Sequence, residues 1–520
     1  MRTDSQLAEP VRLRIMTWDS KKVGRFGLIA LIIYVASASV LLAASKPFWF
    51  DELCTLTVAK QPTSAIVFDA LQNAVDSQPP SFELVERVAG TAIPNQEIAY
   101  RLPSILAFCC TIFFVFVFVG RWCSAPCALL CAALPLLSIL YHTYAVEARG
   151  YALSVAFIAA ALVCYQRADA LQWALLMGIS VAGASASHYY GVFALAPLAL
   201  AEAALVWKTR RLRWSVWIAM SFGVVPLIVL RQMLSQLKQH YGAHYWPQAQ
   251  PTLQGAAHIY GSFFYLPGPM GFALAAMAAV GVLKTLTRWR SSEDIPHGTH
   301  DAPFQEKILA LGLLALPFVF CLAMKVVHGG ILDRYLLPTV LGFSLAAGYI
   351  LPRLCRRSAI LFGVLISVAI AGQEMHFWRS QQLNWGRVVP PAVSVEQLAN
   401  AAGFPELPVA VPDSLEYLQL VHYCSPDKMS RYVSIIDLPG SITYAGSDFV
   451  DKELLVLQRY TPLQLYEVQD FLLKNKQFLL ISRGIYGDWN EARLEEHNTL
   501  KLLGTQGQKK IYLVTRRDHN

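Results

Sequence analysis

Long runs of apolar residues, each near the length that crosses a bilayer, alternate along this chain with shorter polar segments. By the rule of roughly 20 apolar residues per span, the runs at 25–44, 102–120, 126–143, 150–166, 171–187, 190–207, 214–230, 264–284, 307–326, 334–352 and 358–374 predict an α-helical polytopic membrane protein of about eleven spans. The interval 45–101 is too long for a simple connection and holds apolar, helix-compatible stretches at Leu53–Ala59 and Ile66–Val75. These predict helices lying on the membrane surface. After 374 the pattern changes. Pro408–Val411, Tyr432–Ile436, Phe478–Ile481 and Lys510–Val514 read as strands, and Leu415–His422, Leu463–Lys474 and Glu491–His497 as helices, with Gly504 and Gly507 allowing a turn before the last strand. Such alternation predicts a small soluble α/β domain. The chain thus divides into a leader at 1–24, a multi-span core at 25–374 and an α/β domain at 375–520.

Composition supports the membrane reading: 55% of the residues are hydrophobic and 15% charged, with a mean hydropathy of +0.41, more than a soluble core of this length needs. The distribution of charge then sets the orientation. Arg12, Arg14, Lys21, Lys22 and Arg25 precede the first span. Alternate loops carry Arg121, Arg167, the group Lys208, Arg210, Arg211 and Arg213, the group Lys284, Arg288 and Arg290, and the group Arg353, Arg356 and Arg357. That is a positive-inside pattern. It predicts a cytoplasmic N-terminus and an uncleaved first span, and places loops 45–101, 144–149, 188–190, 231–263 and 327–333 outside together with everything after about 375. The net charge of +8 is then explained by topology and anionic lipid rather than by nucleic acid. No phosphate-binding Gly-rich loop or dinucleotide fingerprint stands in a strand-to-helix context.

Ten cysteines fall mostly in the membrane or cytoplasm. Cys123, Cys127 and Cys131 share one helical face, better read as small residues at a helix contact than as a metal site; Cys54 and Cys424 are placed outside. His240, His244 and His258 have a spacing that suits zinc on a helix, but Gly242 and Pro247 argue against a long helix there.

The candidate chemistry gathers in the outer loops. Asp51 and Glu52 follow the first span in Lys46-Pro47-Phe48-Trp49-Phe50-Asp51-Glu52-Leu53. Ser77-Gln78-Pro79-Pro80 makes a rigid turn, and Arg101-Leu102-Pro103 opens the second span. Glu147-Ala148-Arg149-Gly150-Tyr151 lies between the third and fourth spans, Ser187-His188-Tyr189-Tyr190 between the fifth and sixth, and Asp333-Arg334-Tyr335-Leu336-Leu337-Pro338 before the tenth. Acid, base and cation on one membrane face suit transfer of a group carried on a lipid phosphate: a carboxylate activates the acceptor, and cations neutralise the departing phosphate.

These motifs, in this order, resemble the type C glycosyltransferases, specifically the group that includes protein O-mannosyltransferases and bacterial aminoarabinose lipid A transferases. The resemblance covers roughly 25–350. It implies a polyprenyl-phosphate sugar donor, a lipid, glycan or protein acceptor, and an inverting reaction on the external face. It further implies that Asp51 is the catalytic base, with Glu52 beside it, and that Glu147 orients the acceptor or the base. Arg149 binds phosphate or structures its loop, and Arg334 and Tyr335 lie near the donor phosphate. His188 and Tyr189 are expected to contact sugar or phosphate, the alternative for His188 being a hydrogen-bonded interfacial histidine. Many relatives carry His or Lys where Gln78 stands, so here the donor phosphate must depend more on Arg334, Arg149 or a cation from 231–263. No metal site is predicted from the spacing of ligands, while the acidic pair leaves a divalent cation open. The expected location is a bacterial inner membrane. Two competing readings are a transporter or flippase for a lipid-linked precursor, and a non-catalytic scaffold; against the first, the suggestive acids lie at the outer ends of the spans rather than at mid-membrane, and Glu202, the clearest acid within a span, lies towards its cytoplasmic side.

Overall fold

The computed structural model describes residues 20–241, 247–263, 302–353, 356–381, 392–483 and 488–517. Helix α1, Ser20–Ala43, rises roughly 36 Å at 1.5 Å per residue, enough to cross the hydrocarbon layer. Among the described residues four helices have the length and composition of a span: Lys22–Ala43, Gln96–Val119, Tyr189–Thr209 and Ala359–Ser380. Three bent pairs raise the number to as many as seven. Proline and polarity account for the bends. Pro135 sits in the 3₁₀ turn Leu134–Leu137, after which Ser138 leaves helical geometry and caps Ile139–Ala145, an 81° break. Pro317 opens Leu316–Val327 after a 58° break. The pair Trp214–Val229 and Arg231–Tyr241 bends by 56° where the sequence turns from apolar to polar. Tyr151–Tyr165 and Leu171–Ser187 are shorter apolar helices. The expected span at 264–284 and His244 lie outside the described residues.

Phe26, Ile33, Val229 and Val326 are exposed on the outside of this bundle, a surface that suits lipid. The chain is an integral membrane protein. Two acids within the helical core are paired: Glu202 is held by Arg213 and by the Tyr165 hydroxyl at 3.2 Å. Glu374, which the sequence reading passed over, accepts from Tyr34 at 2.5 Å and meets His142 Nε2 at 2.5 Å.

The interval after α1 folds into α2 (Phe50–Ala59), α3 (Ser64–Gln72), α4 (Pro80–Ala89) and α5 (Gln96–Ala99) before α6 (Leu102–Val119). Pro80 at the first turn of α4 costs no hydrogen bond there.

The C-terminal region holds a six-stranded sheet made of β1 (Val409–Ala410), β2 (Tyr432–Ile436), β3 (Leu465–Glu467), β4 (Gln477–Arg483), β5 (Asn498–Gln506) and β6 (Lys509–Arg516). The order is β3-β2-β1-β4-β6-β5. β1 to β4 run parallel, with Val409 opposite Tyr432 and Leu479, and β6 joins antiparallel with Leu513 opposite Leu479. Gly507, at φ +61°, makes the turn between β5 and β6, while Gly504 lies at an irregularity within β5. The segment expected to be a single helix over 463–474 instead begins as β3 and becomes helical at Val468.

This region and the loop helices share a core. Phe48, Leu53, Leu56, Val67 and Leu71 pack in one cluster with Val409, Tyr417, Leu457 and Leu479. Polar ties reinforce it: Gln419 Nε2 donates to the Phe48 carbonyl at 2.7 Å, Phe48 N–H to the Tyr423 hydroxyl at 3.0 Å, and the Tyr460 hydroxyl to Asp69 at 2.6 Å. Cys54 and Cys424 are both free thiols.

Candidate active site

The first loop is pinned by a closed ion pair. Glu52 stands in the first turn of α2, where a carboxylate reaches back to the backbone and suits the positive helix end. Its Oε1 accepts from Arg101 Nε at 2.7 Å and Ala148 N–H at 2.8 Å; its Oε2 accepts from Arg101 Nη2 at 2.7 Å and Trp49 N–H at 3.0 Å. Arg101 spends its remaining donors on the carbonyls of Ala43, Lys46 and Pro47. Both side chains are completely buried. Burial opposes the charge on Glu52, but Arg101 and Lys46 outweigh it and hold the carboxyl below its ordinary range. Glu52, expected among the catalytic group, therefore has no open lone pair for a substrate.

A second ion pair lies beneath Asp51. Arg149 Nη1 meets Asp76 at 2.7 and 2.9 Å, Thr55 Oγ1 at 2.9 Å and the Asp51 carbonyl at 3.1 Å. Asp76 also accepts from Thr55 at 2.7 Å and from the Gln78 N–H at 3.1 Å. Gln78 is buried, and its Oε1 accepts the Gly150 N–H at 3.2 Å. A Cβ at Gly150 would sit 2.1 Å from the Ser187 carbonyl, so the backbone approach there admits glycine alone. Of the two roles expected for Arg149, the geometry is that of the loop-structuring one.

Asp51 itself points elsewhere. Its carboxylate accepts no hydrogen bond among the described residues and keeps 18% of its side-chain surface exposed, with Arg334 Nη2 3.6 Å away. Arg334 makes no side-chain hydrogen bond among the described residues, and its Nε is buried without a partner. Aromatic rings surround it. Tyr335 lies 5.8 Å from the guanidinium and packs on Tyr190 at 4.7 Å and His188 at 5.5 Å, and Tyr151 packs at a tilt against His188 at 4.7 Å. Burial, then the charges of Arg149 and Arg334, push the His188 imidazole down to about 3, so it is neutral at physiological pH. It offers a hydrogen bond and no charge. Tyr189 is buried within electrostatic reach of Asp76 and Glu83.

Glu147 stands apart, buried, with Lys46 Nζ 3.3 Å from Oε1 and Oε2 unpartnered. Burial raises its carboxyl, although Lys46 opposes this. Asp51, His188, Arg334 and Tyr335 thus meet at one partly open spot, with Glu147 on the Lys46 side and Gln78 and Arg149 below.

No family model matches the chain, and no curated protein matches it. Among solved structures, it is similar to ArnT from Cupriavidus metallidurans in the apo state, with a TM-score of 0.58 at 14% identity over 94% of this chain and 98% of that one. The same protein bound to undecaprenyl phosphate matches with a TM-score of 0.55 at 14% identity and the same coverage. The chain has an ArnT-like fold. That likeness extends over nearly the whole length of both chains, C-terminal sheet region included.

Within this ArnT-like fold, several buried acids had no warning in the motifs. Asp76 is the partner of Arg149. Glu453, from the helix Phe449–Leu457, is buried within electrostatic reach of Asp51 and Asp76. Glu86 and Glu83, the second at the end of the stretch that the Pro79-Pro80 turn opens, lie on the inner face of α4 with both carboxyl oxygens of each unpartnered. Among the described residues no group of three or more His, Cys, Asp or Glu is placed to hold a metal ion.

Burial, and then the charge of Glu52, push Glu86 well above the usual carboxylate range, so folding favours its protonated form. The stability this group contributes is full below about pH 4.3 and declines as pH rises towards the folded value. Glu86→Gln, neutral at every pH, is expected to raise the unfolding temperature at pH 8 by about 3 °C and to lose that advantage near pH 4. Melting curves at the two pH values check it; a drop at pH 8 that shrinks near pH 4 would mean that Glu86 is ionised and paired.

Proposed function

We propose that this protein is an inverting glycosyltransferase that moves a sugar from a polyprenyl-phosphate donor to a lipid, glycan or protein acceptor on the external face of a bacterial inner membrane. In this reading the N-terminus is cytoplasmic, 25–374 is the membrane core, and 375–520 is an external domain that serves acceptor recognition or stabilises the external face. Asp51 takes the acceptor hydroxyl proton as the acceptor oxygen bonds to the anomeric carbon. The bond from that carbon to the phosphate oxygen breaks with its electron pair on the phosphate, and Arg334 neutralises the charge. Tyr335 and His188 line the donor, Glu147 orients the acceptor, and Glu52, Arg149 and Gln78 hold the loop that carries Asp51.

One observation carries the reading: a carboxylate with unfilled lone pairs and a guanidinium with unused donors lie 3.6 Å apart at a partly exposed point. A base and an anion site side by side fit group transfer from a phosphate and have no evident use in a scaffold. The ArnT-like fold supports the reading, and ArnT has been captured with undecaprenyl phosphate bound. The test is transfer from a panel of radiolabelled polyprenyl-phosphate sugars by purified protein. Turnover with at least one donor is expected, and Arg334→Gln should raise the donor KM at least about tenfold through loss of charge-assisted hydrogen bonds. Folded protein that turns over no donor would sink the proposal.

A further inference from the structure

Arg334 is the cation of this group that has not been committed elsewhere. Arg101 is saturated by Glu52 and three carbonyls, Arg149 is buried on Asp76, Lys46 is paired with Glu147, and His188 is neutral. What faces Arg334 is Asp51, at 3.6 Å, beyond hydrogen-bond length. The contact is electrostatic, without the short bidentate geometry that makes an arginine–carboxylate pair hard to break. Both groups are partly open to solvent, at 21% and 18% of their side-chain surfaces.

We propose that Arg334 is exchanged between Asp51 and the phosphate of the lipid, so that arrival of the donor frees the base and return of Asp51 to Arg334 expels the spent lipid phosphate. The inference rests on the lipid-phosphate reading above. While the pair is closed, Asp51 Oδ2 faces the Arg334 guanidinium. A phosphate supplies several acceptor oxygens to a guanidinium that, among the described residues, has no hydrogen bond to lose, and so draws it away. After transfer Asp51 carries the acceptor's proton, has no charge with which to compete, and the lipid phosphate keeps Arg334. Loss of that proton to water restores the carboxylate, which recaptures Arg334. The carboxylate that drives the chemistry therefore also sets how tightly the product is held.

The test is a binding cycle with undecaprenyl phosphate, measured on full-length protein in nanodiscs for wild type, Asp51→Asn, Arg334→Gln and the double variant. Asp51→Asn is expected to tighten binding about fivefold, the upper range for a partly exposed pair, and Arg334→Gln to weaken it. In the Arg334→Gln background Asp51→Asn should change nothing. An equal gain in both backgrounds would show plain charge repulsion without exchange and overturn the inference, as would no gain in either. Arg334→Met serves as the second background should Arg334→Gln not fold. If wild type does not bind the lipid at all, the lipid-phosphate reading fails and takes this inference with it.

Discussion

Asp51→Asn should abolish sugar transfer, lowering kcat by about 10³-fold, within the range ascribed to loss of a general base, while melting within about 1 °C of wild type as a surface-like substitution does. The asymmetry between Asp51 and its neighbour makes the expectation specific. Adjacent helical positions point in different directions, and here the difference is complete. Glu52 is sealed, with four donors on its two oxygens, whereas the Asp51 carboxylate makes no hydrogen bond among the described residues and stays 18% exposed. Asparagine keeps the shape of Asp51 and cannot take a proton. Transfer rates and melting curves for Asp51→Asn and Glu52→Gln, measured together, separate base from scaffold. Retained transfer in Asp51→Asn would remove it from the role of base; a Glu52→Gln variant that melts normally but is inactive would move the base to Glu52.

Apolar runs disclosed the helical character of the core because lipid imposes it: a run near 20 apolar residues has few other uses. They did not fix the number of spans, since among the described residues four to seven, against the expected eleven, have the length and composition to cross. Proline cannot be weighed the same way, and the bends at Ser138 and after Ala315 turn single apolar runs into paired segments. In the sheet region, β4 and β6 are visible as apolar runs, whereas β5 is largely exposed, with polar residues on both faces, and gives no alternation to read. β3 hides inside a stretch whose amphipathic pattern suits a helix equally well.

The site divides along similar lines. Asp51, His188, Arg334 and Tyr335 stood out as chemistry-bearing types in outer loops, and the fold brings them together. Their supports were silent because each pairing spans long stretches of chain. Asp76 looks like an ordinary turn residue until Arg149 closes on it, and Glu453 belongs to a region whose packing against α2 no local pattern discloses. Glu52 presented the opposite difficulty. A carboxylate beside a base looks reactive in sequence, and only the positions of Arg101 and Ala148 reveal that its capacity is spent.

Arg101→Met is expected to be the most disruptive single change to stability, costing about 3–5 kcal/mol because it leaves Glu52 buried as an unpaired charge. It also strands three carbonyls, those of Ala43, Lys46 and Pro47, where the chain leaves α1 and enters α2. The consequence should be local before it is global: the first loop becomes sensitive to added protease while the membrane helices still purify. Pairing the change with Glu52→Met tests the cause. Removing both charges eliminates the stranded carboxylate, so the double variant should recover a substantial part of the lost melting temperature, though not the carbonyl contacts. A double variant no more stable than Arg101→Met would mean that the carbonyls, rather than the ion pair, hold the loop. Because Asp51 directly precedes Glu52, loosening this pair should also lower transfer out of proportion to the folded fraction, the behaviour of a positioning residue one step removed from the reacting atoms.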